Sequence, residues 1–148
     1  MTARNDSYNE LCCYTLEHGD PEFIHQHVVD AYAAQDATLN DKPIRLAFAL
    51  VGLFLHVERE FTGREVQLAH MKLARTKQKW PEFRIPGNCG SIDAATVLNA
   101  PIEERDAMIH KWCRSVWAAF SDQRDMVERL LATNGVTDAQ SVRWPARR

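Results

Sequence analysis

Apolar side chains recur along most of the chain at the three- and four-residue spacing of amphipathic α-helices. Turn and capping signals divide this pattern into segments. Gly19 ends a first helix, Asp41 with Pro43 begins a third, and Thr62 with Glu65 has the spacing of a capping box. No hairpin signal stands out. The predicted helices span roughly residues 7–18, 21–38, 43–63, 62–79, 92–99, 101–120 and 121–135.

One long segment between these helices lacks their periodicity. Residues 80–90 hold two prolines and two glycines, and we expect the aromatic side chains of Trp80 and Phe83 to anchor the segment to the helices. The other connections are short, which is typical of antiparallel neighbours. The pattern therefore predicts an all-α, up-and-down helical bundle of about five to six helices with one long irregular connection. Residues 1–148 form a single helical domain, in which residues 136–148 are a loosely ordered tail.

The composition indicates a globular domain with its own hydrophobic core. The 148 residues are 45% hydrophobic and 26% charged, and the net charge is -2. Because the basic residues are scattered, the sequence predicts no nucleic-acid partner. The longest apolar run, residues 46–55, is too short to span a membrane, and the polar start of the chain does not resemble a secretory signal. We therefore predict a cytoplasmic protein with no membrane partner.

The cysteines and the known catalytic motifs give little support for an enzyme. The four cysteines lack zinc-finger spacing, and we expect them to be reduced and partly buried. Cys113 lies one turn from His110, but the tryptophans beside both residues favour packing over thiol catalysis. The chain has no glycine-rich phosphate loop and no Gly-x-Ser-x-Gly elbow. No motif names a reaction or a substrate.

Glu58 is the residue that departs most clearly from the hydrophobic pattern. On a helical wheel it projects between Ala47 and Val51, in the middle of the apolar side of the third helix. A carboxylate in that position must be paired, protonated, metal-bound or located in a lined cavity. His56 lies on the polar face of the same helix with Arg45, so the wheel excludes it as a ligand.

Other polar residues also fall on or beside apolar faces. The second helix has a wide apolar arc, which predicts a central helix that contacts neighbours on several sides. His27 lies inside this arc, His25 lies at its far edge, and Asp30 lies just outside it. His25 and His27 differ by about 160° around the axis, so they cannot both reach one site directly. His70 faces inward on the fourth helix, and His110 lies at the edge of the apolar arc of the helix over residues 101–120.

These residues allow more than one interpretation. Imidazole and carboxylate groups are suitable ligands for a divalent transition metal, and bundle interiors commonly hold such sites. The same groups could instead form a hydrogen-bonded network that fixes helix register, or line a metal-free ligand pocket. The chain lacks the i, i+4 histidine pair of a strong helical metal motif. The candidate metal ligands are His25, His27, Glu58, His70 and His110.

The segment Ile24-His25-Gln26-His27-Val28-Val29-Asp30-Ala31-Tyr32-Ala33-Ala34-Gln35 resembles the His-x-x-x-Val-Asp-Ala-Tyr-x-x-Gln motif of an uncharacterised bacterial family, a domain of unknown function. Residues 46–59 and 115–120 resemble two further motifs of that family. The resemblance implies no activity, and it favours His25 over His27. The N-terminal Cys-x-x-Cys element of relatives is not reproduced by Cys12-Cys13. The resemblance assigns a ligand-binding or structural polar core to His25, Asp30, Tyr32, Gln35 and Glu58.

Two functions are therefore predicted as alternatives. The first is the binding of a metal ion or small ligand at an interior polar site around Glu58 and His25, with no reaction indicated. The second is a non-enzymatic bundle that acts through self-association, for example as a homodimer, or through contacts with another protein. In that case the buried polar groups are purely structural, and the contacts would involve Trp80, Phe83 and Trp144.

Overall fold

The computed structural model describes residues 3–143, with side chains from residue 6 onward, and this part of the chain is helical with no β-strand. The prediction of an all-α bundle is confirmed. The α-helices are α1 (Ala3–Glu17), α2 (His25–Gln35), α3 (Pro43–Arg59), α4 (Gly63–Ala74), α5 (Ala94–Asn99), α6 (Arg105–Phe120) and α7 (Arg124–Thr133). Short 3₁₀ turns lie at Ile102–Glu104, Ser121–Gln123 and Ala139–Val142.

Helix α2 occupies the centre of the bundle. It packs against α1, α3, α4 and α6, as the width of its apolar arc predicts, and Val28, Ala31 and Ala34 on it are fully buried. Helix α3 packs in turn against α4, α6 and α7. Within residues 3–143, no helix is both long enough and apolar enough to cross a membrane. Helices α2 and α3 therefore form the centre of the bundle, and most of the polar residues discussed below lie on them or against them.

Helices α2 and α3 approach each other closely at Gly52. The carboxyl group of Asp30 occupies the space that a Cβ atom at position 52 would need. A larger residue at this position would push α2 and α3 apart. A glycine in the middle of a buried helix thus marks the face of α3 that lies against α2.

Several helix boundaries differ from the prediction, and side chains explain two of them. Helix α2 begins at His25, because the carboxylate of Asp20 accepts hydrogen bonds from the backbone N–H groups of Glu22 and Ile24 and holds residues 20–24 in a turn. Helix α4 ends at Ala74, where the amide of Gln78 donates a hydrogen bond to the carbonyl of Leu73. In both cases a side chain competes with the helix for a backbone group.

The long irregular connection between α4 and α5 is held to the bundle by side chains. Gln35 donates hydrogen bonds to the carbonyls of Cys89 and Ile92. Phe83 is buried in the core, and Trp80 packs edge-on against Phe48. The anchoring of the segment by its aromatics is therefore confirmed. Neither aromatic is an exposed contact residue, which corrects that part of the second alternative, and Trp144 lies outside the described residues.

Candidate functional site

The polar residue with the most informative contacts is His56, near the end of α3. Its Nδ1 lies 3.3 Å from the carbonyl oxygen of Phe61. Since a carbonyl can only accept, Nδ1 carries the proton and donates it to Phe61. The other ring nitrogen, Nε2, therefore presents a lone pair when the ring is neutral.

That lone pair faces a second histidine. His110 on α6 places its Nδ1 2.9 Å from Nε2 of His56. With the tautomer of His56 fixed by Phe61, His110 donates the hydrogen bond through Nδ1. Two imidazole nitrogens from different helices thus converge on one point.

His27 on α2 completes the cluster. Its ring stacks on the ring of His56, with centroids 3.6 Å apart and planes inclined by 21°. The centroid of His110 lies 5.9 Å from that of His27. His27 is only 4% exposed, so the stack fixes the plane of the His56 ring from its buried side.

The three rings are neutral near pH 7. Burial, together with repulsion from the nearby rings of His56 and His110, lowers the pKa of His27 to about 2. Burial also lowers the pKa of His56 to about 4 and lowers that of His110, and the charge of Arg114 acts in the same direction on both. The cluster therefore presents nitrogen lone pairs and N–H donors rather than positive charge.

A cavity of about 320 Å³ opens beside the cluster. The charged side chains that line it are Glu22 from the α1–α2 turn, Glu60 after α3, and Arg114 on α6, one turn beyond His110. Both carboxylates and the guanidinium are exposed to solvent. The cavity is thus a polar pocket, which we call the histidine pocket, with a floor of neutral imidazoles and a rim of mixed charge.

The backbone is strained on two sides of the histidine pocket. Phe23 and Glu60 are the non-glycine residues within 3–143 that have a positive φ, 60° and 58°. Phe23 is held in this conformation because its carbonyl fits against Gly63, where a Cβ atom would overlap it, and because the N–H of Arg64 bonds the carbonyl of Glu22. Strain of this kind clusters at functional sites, which supports the choice of this pocket as the candidate site.

No group of three or more His, Cys, Asp or Glu side chains within residues 3–143 is already arranged to hold a metal ion. The convergent pair is His56 with His110. A third ligand from the rim would have to move toward that pair. Glu22 is a candidate for this movement, because its carboxylate is exposed and lines the same pocket.

Glu58 does not lie in the interior, which corrects the wheel-based placement. Its Oε2 accepts a hydrogen bond from Trp117 Nε1 at 2.6 Å, and its Oε1 pairs with Arg124 Nε at 2.6 Å. The residue is exposed at the end of α3. The wheel places Glu58 on the correct side of α3. In the last turn, however, this side is no longer covered by the core and lies beside the start of α7.

Asp30 and His70 form a separate cluster on the other side of α2. Asp30 is 3% exposed, and Gln26 donates a hydrogen bond to its Oδ1. His70 donates through Nε2 to the carbonyl of Phe48 at 2.8 Å, and the same nitrogen lies 4.0 Å from Oδ1 of Asp30. Burial raises the pKa of Asp30 well above its ordinary value and lowers that of His70 to about 4. Burial therefore favours the neutral form of both groups.

The other residues indicated by the family resemblance point away from the histidine pocket. His25 faces α1, where its Nδ1 lies 2.9 Å from Thr15 Oγ1. The ring of Tyr32 stacks on Tyr8 with centroids 3.9 Å apart. Gln35 links the irregular connection to Trp112, whose indole N–H donates to it. Of the five predicted metal ligands, the structure brings together only His27 and His110.

His56 is the residue that the sequence reasoning missed, because it was discounted as part of a polar face. It lies on the polar face of α3 when the helix is drawn alone, but α2 and α6 cover that face in the bundle. One signal could have found it. Gly52 lies one turn earlier on the same face, and a glycine inside a buried helix indicates close contact with a neighbour.

Cys113 is fully buried, and its Sγ donates to the carbonyl of His27 at 3.6 Å. Burial raises its pKa, so the thiol is a packing group, as its tryptophan neighbours predict. All four cysteines are free thiols.

Comparison with known proteins gives a family but no activity. Searches of curated proteins and of solved structures found no match. A family of unknown function, DUF5946, matches residues 5–121, a segment that contains every residue of the histidine pocket named above. The prediction of a family of unknown function is confirmed: the chain belongs to the DUF5946 family.

Proposed function

We propose that this protein binds a divalent transition-metal ion in the histidine pocket through His56 and His110. The observation that carries the proposal is the 2.9 Å separation of His56 Nε2 and His110 Nδ1 beside an open cavity. Two nitrogens that bind the same ion lie about 3 Å apart, since each metal–nitrogen bond is about 2.0–2.1 Å long. The pair needs little movement to accept an ion between its lone pairs.

The hydrogen bond from His56 to Phe61 supports this proposal. Metal-binding histidines usually donate their second ring N–H to a carbonyl or carboxylate, which fixes the tautomer and the ring orientation. His56 has this arrangement, with Nδ1 toward Phe61 and Nε2 toward the pocket. His110 would bind the ion through Nδ1 after moving its proton to Nε2.

Glu22 is the best candidate for a third ligand. A rotation of its exposed side chain would bring a carboxylate to the two imidazoles, and water would fill the remaining positions. Two histidines and one carboxylate suit zinc and iron, among other first-row metals. His27 would not bind the ion, because its ring is stacked on His56 and serves to orient it.

Metal titration of the tag-free protein tests the proposal. After treatment with a chelator, zinc is added in a calorimeter and cobalt is followed by its visible spectrum. We expect one ion per chain in the wild type. His56→Ala and His110→Ala should each weaken binding by about 100-fold or more, and Glu22→Gln by about tenfold. Circular dichroism should verify that each variant is folded.

His18→Ala is the matched control. His18 is an exposed histidine whose Nδ1 donates to the carbonyl of Tyr14, so its replacement removes an imidazole outside the pocket. It should leave the affinity unchanged. If the wild type fails to bind any divalent ion at millimolar concentration, or if His110→Ala binds as tightly as the wild type, the metal proposal is wrong.

Self-association is the second candidate, and one observation favours it. Leu39 is 94% exposed and lines a groove together with Leu46, Phe83 and Ile85. A second chain that covered this groove would bury Leu39. Light scattering of the wild type and of Leu39→Lys tests this. A dimer that becomes a monomer in the variant supports the candidate, and a monomeric wild type excludes it.

We further propose a cytoplasmic location. Four free thiols, one of them fully buried, are consistent with a reducing compartment. Cell fractionation of the natural host with an antibody against the protein would test this, and recovery outside the cytoplasm would contradict it.

A further inference from the structure

The histidine pocket is much larger than a metal ion. Its volume of about 320 Å³ would hold roughly ten molecules of liquid water at about 30 Å³ each. Ligand-binding pockets begin at about 300 Å³. A metal ion held between His56 and His110 would leave space for a small organic molecule beside it.

Arg114 is the cationic side chain on the rim of this pocket. It follows His110 by one turn of α6, so the two side chains share a helix face. Within residues 3–143 its guanidinium makes no ion pair or hydrogen bond, whereas Arg45, Arg59 and Arg124 each pair with a carboxylate. Its charge still reaches the floor of the pocket, because it lowers the pKa of both His56 and His110.

The charge balance of the pocket indicates the kind of molecule that would fit. The imidazoles are neutral, and the lining carboxylates are those of Glu22 and Glu60. A divalent ion together with Arg114 would exceed these two carboxylates by one positive charge. A ligand with a single negative charge would balance the pocket, whereas a doubly charged phosphate would meet excess repulsion from the carboxylates.

The start of α4, also beside the pocket, does not provide the anion site. Its first turn is closed by a capping box in which Thr62 accepts from the N–H of Glu65 and Glu65 accepts from the N–H of Thr62. The carboxylate of Glu65 already satisfies that end of the helix.

We propose that Arg114 anchors the carboxylate of a small organic acid in the histidine pocket. The planar guanidinium matches a carboxylate with two parallel hydrogen bonds. The rest of the molecule extends over the imidazole pair, where a hydroxyl or carbonyl oxygen reaches the metal ion. This inference rests on the proposed metal site for its second contact and for its charge, since without the ion the carboxylates of Glu22 and Glu60 exceed the charge of Arg114 by one.

Lactate is a suitable probe, since it carries one carboxylate and an adjacent hydroxyl group. It is titrated into zinc-loaded and into metal-free protein, and backbone amide shifts are followed by NMR. We expect saturable binding with shifts around Arg114 and His110, tighter with zinc than without. Arg114→Gln should weaken binding by at least about tenfold, and Arg114→Lys should weaken it less.

Arg129→Gln is the control. Arg129 is exposed on α7 and does not line the pocket, so the variant loses one surface charge elsewhere and should bind lactate normally. Because Arg114 is itself exposed, its variants should melt at the wild-type temperature. Inorganic phosphate, titrated in parallel, is expected to bind more weakly than lactate.

The outcomes separate this proposal from the metal proposal. Lactate binding that depends on Arg114 in protein that takes up no metal would sustain the anchor and reject the metal site. Metal binding without lactate binding, or lactate binding unaffected by Arg114→Gln, would overturn the anchor. Phosphate binding that is tighter than lactate binding and depends on Arg114 would overturn the assignment of a carboxylate.

Discussion

Two polar clusters lie against α2, and they differ in what their atoms can still do. The Asp30–His70 cluster is sealed between α2, α3 and α4, where Gln26 and His70 donate their hydrogen bonds inside the protein. The histidine pocket opens to a cavity, and the hydrogen-bonded pair of His56 and His110 lines it. Both clusters contain neutral histidines, so a lowered pKa alone does not distinguish a structural site from a binding site.

The two clusters are distinguished by which ring nitrogen of each histidine carries the proton. His70 donates its proton at Nε2 to Phe48, so that nitrogen cannot bind a ligand. His56 donates at Nδ1 to a carbonyl, and its Nε2 accepts from His110 at the pocket, so a shift of the His110 proton to its other ring nitrogen would leave two lone pairs there. The sealed cluster should therefore govern stability, and the open one should govern ligand affinity. The following changes test that division, from the largest expected effect to the smallest.

Gly52→Ala should have the largest effect on stability. The added methyl group would overlap the carboxyl of Asp30 and separate α2 from α3, which we expect to cost about 3 kcal/mol of unfolding free energy. Urea denaturation followed by circular dichroism measures the change. Gly87→Ala is the control, since nothing lies within 4 Å of a Cβ atom there, and it should change stability by less than about 0.5 kcal/mol. Equal stability of the two variants would refute the close approach of α2 and α3.

Asp30→Asn should remove a pH dependence of stability. Burial raises the folded-state pKa of Asp30 above its ordinary value of 3.8, so the folded protein keeps a proton that the unfolded chain releases. The stability contributed by this proton is complete below pH 3.8 and is lost as pH rises through the folded-state pKa. The slope is up to about 1.4 kcal/mol per pH unit.

Urea midpoints between pH 4.5 and 8 check this prediction. Relative to the wild type, Asp30→Asn should gain stability as the pH rises, while its metal affinity remains normal. The matched control is Asp125→Asn on the exposed surface of α7. Its curve of stability against pH should run parallel to that of the wild type. Parallel curves for Asp30→Asn and the wild type would contradict a buried neutral acid.

His70→Gln should act in the opposite direction and within a lower pH range. Burial lowers the folded-state pKa of His70 from 6.5 to about 4, so its contribution to stability is present above pH 6.5 and is lost as pH falls through about 4. Glutamine retains an N–H donor for Phe48 and does not titrate. Between pH 6.5 and 4 the variant should therefore lose stability less steeply than the wild type as the pH falls. The difference in slope should correspond to at most one proton taken up on unfolding.

Urea denaturation at a series of pH values, with a chelator present, gives the proton uptake on unfolding from the slope of stability against pH. His18→Gln, at the surface, is the control. His70→Gln should leave zinc affinity unchanged. A large loss of zinc affinity in this variant would break the division between the sealed cluster and the open pocket.

Glu58→Gln should have the smallest effect. Its carboxylate pairs with Arg124 at the surface, where solvent screens the attraction and leaves it little effect on stability. A double-mutant cycle with Arg124→Gln, measured by urea denaturation, gives the pair's energy, and metal affinity should not change. Loss of metal binding in Glu58→Gln would instead support a metal site at Glu58, as the hydrophobic pattern first indicated.

The sequence predicted the helices better than their ends. Apolar periodicity gave the helical bundle, and the signals at Pro43 and Thr62 gave the starts of α3 and α4. The start of α2 and the end of α4 were missed, because Asp20 and Gln78 bond backbone groups that a continuing helix would use. Such competition depends on side-chain geometry that a spacing pattern does not contain.

The candidate site was predicted only in part. The sequence placed His27 and His110 toward the interior, which follows from the apolar arcs of their helices. It placed His56 on a polar face and Glu58 in the interior, whereas the structure covers the face that holds His56 and exposes Glu58. A wheel describes one helix in isolation, and it does not say where along the helix a neighbour begins or ends.

The sequence by itself thus determined that this chain is an all-α protein, that α2 is central, and that polar groups are built into its helices. Only the tertiary structure decided which of those groups meet. Helix faces follow from a local period of 3.6 residues, whereas the meeting of His27, His56 and His110 depends on how α2, α3 and α6 cross. Those crossings are set by packing between distant segments, of which the contact of Asp30 with Gly52 is one.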